Sequence, residues 1–297
     1  MLWLLLTILS YALNAVALVT DKFLLTKKIP NPAVYTIIIS LLGVLSAVLL
    51  PFGWSPPTGF QLLVELAAGF LFGLALLLMF EALSRGEASR VVPFINGLQP
   101  LVILPLAWLL VGEAISGKFL WAFILIIIGS VLITWGKGEA KKGTYLLSVI
   151  SAIIFGVSLV LSKYAFSLQG SFITPFVMSR VGGLFFAFLL LAIPANFKDF
   201  AREAKNPKSQ TGVLLILGQT AGAMAAVLVN LAIALSSNVT AIINALQGLQ
   251  YVFLLAIVAV LARKFPRVLH EQMSRQVLWQ KIIATVLIIG GLAVLAF

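Results

Sequence analysis

Phe123-Ile124-Leu125-Ile126-Ile127-Ile128 is an unbroken apolar run with no alternation of apolar and polar residues. Inside a lipid bilayer, a chain can satisfy its backbone hydrogen bonds only as an α-helix or as a closed β-barrel. The strands of a membrane barrel alternate between lipid-facing and lumen-facing residues, in segments of about 10 residues. This run does not alternate, so we predict that it belongs to a transmembrane helix.

The composition extends this prediction to the whole chain. Of the 297 residues, 62% are hydrophobic and 10% are charged, and the mean hydropathy is +1.14, whereas a soluble domain is about half apolar and a quarter charged. We therefore predict an all-α, polytopic protein with ten transmembrane helices, integral to the cell membrane (plasma or inner membrane). The ten apolar stretches are roughly residues 2–20, 33–50, 62–83, 91–111, 117–135, 144–164, 172–193, 212–235, 239–261 and 277–297.

Short matches between the two halves of the chain indicate an internal repeat. Residues 10–22 align with residues 151–163, and later matches follow in the same order along both halves. The matched residues include Ser10 with Ser151, Lys22 with Lys163, Ala82-Leu83-Ser84 with Ala234-Leu235-Ser236, and Gly97-Leu98-Gln99 with Gly248-Leu249-Gln250. We predict two five-helix repeats, residues 1–136 and 144–297.

The distribution of charge predicts how these repeats cross the membrane. The chain has 20 Lys and Arg residues against 9 Asp and Glu. The basic residues are scattered in short groups rather than gathered on one surface, so we predict no nucleic-acid partner. Most lie in the loops after the first, third, fifth, seventh and ninth spans. Glu87 and Arg90 are predicted to lie in a solvated loop, Asp21 in or beside a loop, and Lys22 at a helix end with its side chain extended toward water. Because Lys and Arg favour cytoplasmic loops, both termini are predicted to lie outside, and the second repeat is predicted to be inverted relative to the first.

One junction carries a family resemblance. Pro100 is followed by Val111-Gly112-Glu113-Ala114-Ile115-Ser116 and then by the helix containing Gly129-Ser130-Val131-Leu132-Ile133. With the five-plus-five arrangement, this pattern resembles the EamA-type ten-helix group of the drug/metabolite transporter superfamily. The second half departs from it, because Leu261-Ala262-Arg263-Lys264 stands where Gly-Glu is expected. The family's members usually keep both termini in the cytoplasm, which is a second departure. The resemblance implies transport of small organic metabolites, often export of amino acids.

Polar side chains inside the apolar spans are the candidates for a substrate site. Such side chains are costly at membrane depth unless they meet a partner or a water-filled cavity. They share helical faces in several spans, and we predict that they line one cavity used for alternating access. The alternative is that the amides simply join packed helices by hydrogen bonds. The predicted residues are Tyr11, Asn14, Asn96, Gln99, Arg180, Gln219, Asn230, Asn244, Gln247 and Tyr251.

Arg180 is the most costly of these residues because its charge lies well inside the seventh span. Glu65, Glu81 and Glu113 all fall near span ends, so no acid is predicted at the same depth. Arg180 is therefore predicted to bind a substrate carboxylate or phosphate in a bidentate manner. The alternatives are that its side chain reaches the outer interface or that it caps the carbonyls of a broken helix. Without an acid at mid-depth to carry a proton, facilitated diffusion or exchange is favoured over proton coupling.

Enzymatic activity is not expected. The chain has no cysteine and a single histidine, His270, which is predicted to lie in a loop. This composition argues against a zinc site, a Ser–His dyad and thiol catalysis, and no ATP-binding P-loop pattern is present. We predict no metal or cofactor and either a monomer or a homodimer. The other functions considered are a translocase for lipids or lipid-linked sugars, and a membrane partner protein that transports nothing.

Overall fold

The structure is a computed structural model that describes residues 2–111, 118–134, 141–205, 209–234, 247–264 and 274–296. Within these ranges the chain is helical and contains no strand. The Gly112-Glu113 junction of the family pattern and the candidate Asn244 lie outside the described residues. Within this described part of the chain, six helices are long and apolar enough to cross a membrane.

Within the described residues, the helices lie in the predicted apolar stretches, with one addition. The addition is an amphipathic helix, Pro194–Lys205, in a region that the sequence predicted as a loop. The helices are α1 (Leu2–Lys27), α2 (Pro32–Gly43, continued by a 3₁₀ segment Val44–Phe52), α3 (Gly59–Arg85), α4 (Ala88–Val111), α5 (Lys118–Thr134), α6 (Thr144–Gln169), α7 (Ile173–Leu191), α8 (Pro194–Lys205), α9 (Ser209–Ala234), α10 (Gly248–Lys264) and α11 (Arg275–Ala296).

Polar residues fix where two of the early helices begin. The Asn31 side chain accepts hydrogen bonds from the first amides of α2, and Pro32 follows it, where a missing N–H has no effect on the helix. Thr58 and Gln61 form a capping box at the start of α3. These caps place the turns between apolar segments and so set the register in which the helices pack.

The bundle has two ends, which we call the basic end and the opposite end. At the basic end, the Lys22 Nζ of α1 donates to the carbonyls of Leu83 (2.6 Å) and Gly86 (2.7 Å) where α3 ends. At the opposite end, the Gln61 Nε2 of α3 donates to the Leu168 carbonyl near the end of α6 at 2.9 Å. The loops after α1 and α3 therefore lie together, as their shared basic charge suggested.

Serine hydroxyls join helices from the two halves of the chain. Ser10 on α1 donates to the Ala225 carbonyl on α9 at 2.7 Å. Ser151 on α6 donates to the Ala75 carbonyl on α3 at 2.9 Å. Since small side chains let helix backbones approach closely, α1 packs on α9 and α3 packs on α6 along much of their lengths. A third extensive contact joins α5 to α11.

Glycines bring α3 and α7 into backbone contact. A Cβ added at Gly69 would lie 1.6 Å from the Ser179 carbonyl oxygen, and one added at Gly182 would lie 2.2 Å from the Leu66 carbonyl oxygen. Only a residue without a side chain fits either position. This crossing holds the first half against the second on the side of the bundle formed by α2, α3 and α7.

A buried charged cluster closes the basic end, which corrects two predictions. The loop after α3 was expected to be solvated, yet Glu87 and Arg90 are 2% and 1% exposed. The Glu87 Oε2 pairs with the Arg90 Nε at 2.9 Å and with the Lys281 Nζ of α11 at 2.5 Å. Lys22 was expected to extend toward water, but it is also buried. We call Lys22, Glu87, Arg90 and Lys281 the basic-end cluster.

Electrostatics within this cluster favour the ionised carboxylate of Glu87. Burial acts to raise the pKa of Glu87, but the Lys281 ammonium and the Arg90 guanidinium outweigh it and hold this pKa below its ordinary value. Arg90 also donates from Nη1 to the Ile133 carbonyl at 2.7 Å, where α5 ends. The cluster thus ties α4, α5 and α11 together.

Candidate functional site

Two amides from opposite halves of the chain meet in the interior of the bundle. The Asn14 Nδ2 donates to the Gln250 Oε1 at 2.9 Å, across a sequence separation of 236 residues. Asn14 lies at the middle of α1, and Gln250 lies near the start of α10 and is 1% exposed. The contact is therefore at mid-depth, where a hydrogen-bonding partner is most valuable.

Further polar side chains gather around this pair. The Gln99 Nε2 donates to the Asn96 Oδ1 at 3.2 Å near the middle of α4. Tyr11, one turn before Asn14 on α1, is buried, and so is Tyr251, the neighbour of Gln250. We call Tyr11, Asn14, Asn96, Gln99, Gln250 and Tyr251 the midplane cluster.

The hydroxyl of Tyr251 is the least satisfied group of this cluster. It lies near Asn96 and Tyr11, but it makes no hydrogen bond of good geometry within the described residues. Tyr251 is only 1% exposed. Buried polar atoms are nearly always hydrogen-bonded, so a buried hydroxyl without a partner is unusual. Its donor and its acceptor are both available for a ligand.

Arg180 lies on a different group of helices. Its guanidinium stacks between Phe72 of α3 and Phe176 of α7, with the guanidinium carbon 5.1 Å and 4.7 Å from the two ring centres. It borders a narrow cavity of about 30 Å³ between α2, α3 and α7. Among the described residues no carboxylate pairs with it. Its aromatic neighbours stabilise the charge by cation–π contact without neutralising it.

The other candidate residues fall elsewhere. The Gln219 Nε2 of α9 donates to the Asp21 Oδ1 at 3.4 Å, and the Tyr35 hydroxyl donates to the same oxygen at 2.5 Å. Asp21 is near the end of α1, so Gln219 belongs to the basic end and not to the midplane cluster. Gln247 lies one turn before Gln250, and the Gln250 backbone N–H donates to the Gln247 carbonyl. Asn230 is on α9, but its side chain lies outside the described part of the structure.

Several residues in these contacts were not among the predicted site residues. Gln250 was not chosen, although the repeat aligns it with Gln99, which was; the internal match could have identified it. Asp21 was assigned to the edge of a loop because the apolar stretch was predicted to end at residue 20. Helix α1 continues to Lys27, and Asp21 is 8% exposed. Its partner Tyr35 carried no sequence signal.

Comparison with known families addresses the first half of the chain. Residues 1–135 match the model of the EamA-like transporter family. This segment is therefore similar to an EamA-like transporter domain. The match and the apolar helices together make the chain an integral, multi-pass membrane protein and relate it to membrane transporters of small molecules.

Solved structures extend the likeness to the whole chain. A crystal structure described only as that of a protein superposes with a TM-score of 0.54 over 96% of this chain and 97% of that chain, at 18% sequence identity. At this identity the likeness concerns the fold alone. Chains of other solved structures also match, 25 in all. No curated protein sequence matches this chain significantly.

Proposed function

We propose that this protein is a secondary transporter of small organic metabolites that works by alternating access. An amino acid or a related carboxylate is the expected substrate, and export is the expected direction. The observation that carries the proposal is the midplane cluster, in which amides and phenols from both halves of the chain converge at mid-depth in an apolar bundle. Carriers of this kind bind substrate at the interface between two repeats.

The packing supports two inverted repeats, residues 1–136 and 144–297, with ten membrane-spanning helices. The aligned residues Ser10 and Ser151 make equivalent contacts, since each donates its hydroxyl to a helix of the other half. The two packed helix pairs are also equivalent. If α1 corresponds to α6 and α3 corresponds to α9, then the contact of α1 with α9 corresponds to the contact of α6 with α3. Exchange of the two halves in this way is what a pseudo-two-fold axis would produce.

The chemistry of the midplane cluster suits a polar ligand that is uncharged or zwitterionic. Asn and Gln amides each offer a donor and an acceptor, and the unsatisfied Tyr251 hydroxyl offers both. Helix–helix hydrogen bonding accounts for the Asn14–Gln250 contact, but among the described residues it leaves that hydroxyl without a hydrogen bond. A bound amine, hydroxyl or carboxylate group would supply one.

Arg180 supplies the positive charge that the midplane cluster lacks. Its guanidinium has no carboxylate partner among the described residues, and its planar donors match a carboxylate in a bidentate manner. Its place between α2, α3 and α7 makes it a second point of contact, separate from the amides. An anionic group of a substrate would bind there.

The proposal is tested by a substrate screen in reconstituted vesicles with labelled amino acids and small carboxylates. Gln250→Ala should lower the transport rate about tenfold, because it removes hydrogen bonds worth about 1–2 kcal/mol in a dry site. Arg180→Ala should abolish transport of anionic substrates. Gln276→Ala is the matched control, since Gln276 is an exposed amide on α11. Absence of transport for every compound, together with active lipid flipping in the same vesicles, would favour a lipid translocase instead.

A further inference from the structure

Glu65 is a buried acid that the proposed transport site does not use. It lies six residues after the start of α3, about 9 Å along the helix from the opposite end. It is 0% exposed, and neither carboxyl oxygen has a hydrogen-bond partner within the described residues. The sequence placed it near the edge of a span, but packing encloses it. An ionised carboxylate without a partner is strongly disfavoured in such surroundings, so burial favours the protonated form of this carboxyl.

No neighbouring charge offsets this burial. Helix α3 packs against α1, α2, α4, α6 and α7. Within the described part of the chain, none of the titratable side chains on these helices forms an ion pair or hydrogen bond with Glu65. On the stretches of α6 and α7 that pack beside it they are Lys163, Tyr164 and Arg180, and farther away they include Tyr11, Asp21, Lys22, Tyr35, Arg90 and Tyr145.

Glu65 shares a helical face with the residues around Arg180. Gly69, Phe72 and Leu76 follow it at spacings of four, seven and eleven residues, which places all four on one side of α3. These three residues line the cavity that Arg180 borders. The protonated carboxyl therefore lies on the line between that cavity and the opposite end of the bundle.

We propose that Glu65 binds and releases the proton that couples this transporter to a proton gradient, an inference that rests on the transport function proposed above. The contact between α3 and α7 leaves no room for a hydration shell, because their backbones touch at Leu66 and Gly182 and at Gly69 and Ser179. Release of the proton to water at the opposite end therefore requires the two helices to separate there. The protonated form stabilises the closed arrangement, and the ionised form stabilises the open one.

The protonation state is tested without a substrate, by infrared titration of the purified protein. The wild type should show the carbonyl band of protonated carboxylic acid at neutral pH, and Glu65→Gln should lose the part of it that Glu65 contributes, whereas any contribution of the buried Asp21 is the same in both proteins. Glu81→Gln is the matched control, because Glu81 is on the same helix but pairs with Arg85 at the surface, and it should keep the band. Glu65→Gln should melt at the wild-type temperature, since it replaces a neutral side chain by one of equal size.

The coupling role is tested in vesicles with the labelled amino acids and carboxylates of the screen. With the membrane potential clamped, a pH gradient of one unit should drive about tenfold accumulation in the wild type if one proton moves per substrate. Glu65→Gln should retain exchange of internal for external substrate but lose this accumulation. Wild-type transport that ignores the gradient, or an infrared band of the same intensity in Glu65→Gln as in the wild type, would overturn the inference. If no compound is transported, the proposed function fails, while the infrared result still decides whether Glu65 binds a proton.

Discussion

Glu87→Gln is expected to lower the free energy of unfolding by about 3–5 kcal/mol at neutral pH, the cost of breaking a buried ion pair. The substitution keeps the shape of the side chain but leaves the charges of Arg90 and Lys281 without their shared carboxylate. Unfolding in mild detergent, followed by the fluorescence of the six tryptophans, measures the effect. Glu81→Gln, which disrupts a partly exposed pair with Arg85 on the neighbouring turn of α3, is expected to cost less than about 1 kcal/mol.

The cost of Glu87→Gln should depend on pH in a defined direction. The pKa of Glu87 is lowered in the folded protein, so its stabilising contribution is complete above the ordinary glutamate pKa of about 4.3. As the pH falls below this value and through the lowered pKa, the wild type loses the contribution and the two proteins converge. A difference in stability that stays constant down to strongly acidic pH would show that the carboxylate charge is not what matters.

Gly69→Ala is expected to destabilise the protein by about 3 kcal/mol or more, at or beyond the upper range for overpacking. The new methyl group would overlap the Ser179 carbonyl oxygen, which is backbone and cannot rotate away. Relief requires α3 and α7 to move apart along the side of the bundle that holds Arg180. A lower melting temperature and a lower yield of folded protein in detergent would both report this separation of the helices.

Gly183→Ala provides the control for this prediction, because it adds the same methyl group to the same helix pair. There the nearest atom would be the Gly69 carbonyl oxygen at 3.6 Å, an ordinary contact distance. Its stability should therefore remain close to that of the wild type. Equal effects of the two substitutions would indicate that α3 and α7 do not cross as closely as the structure places them.

The helices could be predicted from the sequence because the length of an apolar stretch is a local property. The predicted stretch 62–83 became Gly59–Arg85, and 144–164 became Thr144–Gln169. The stretch 33–50 was predicted as one regular helix, but the chain tightens into a 3₁₀ segment from Val44 to Phe52, where Pro51 removes a backbone donor. Helix α8 was missed because its charged face keeps its average hydropathy low.

Contacts between distant parts of the chain could not be predicted in the same way. Glu87 and Lys281 are separated by about two thirds of the chain, and nothing in either local sequence indicates the other. The charge of Glu87 therefore suggested solvent, where the structure gives burial with two cationic partners. For the midplane cluster, the polar residues were recognisable one helix at a time, but the Asn14–Gln250 pairing depended on the relative placement of α1 and α10.

The central claim, that the midplane cluster lines a cavity with access from each side in turn, is tested most directly by cysteine accessibility. The chain has no native cysteine, so Asn14→Cys introduces a single thiol at mid-depth. Ser274→Cys at the basic end and Gly59→Cys at the opposite end are exposed reporters of each side. In vesicles of known orientation, the account predicts that a membrane-impermeant thiol reagent labels position 14 from both sides, and each reporter from one side only. A thiol at position 14 that stays unlabelled from both sides, while the reporters react, would contradict it and leave these amides as helix-packing contacts.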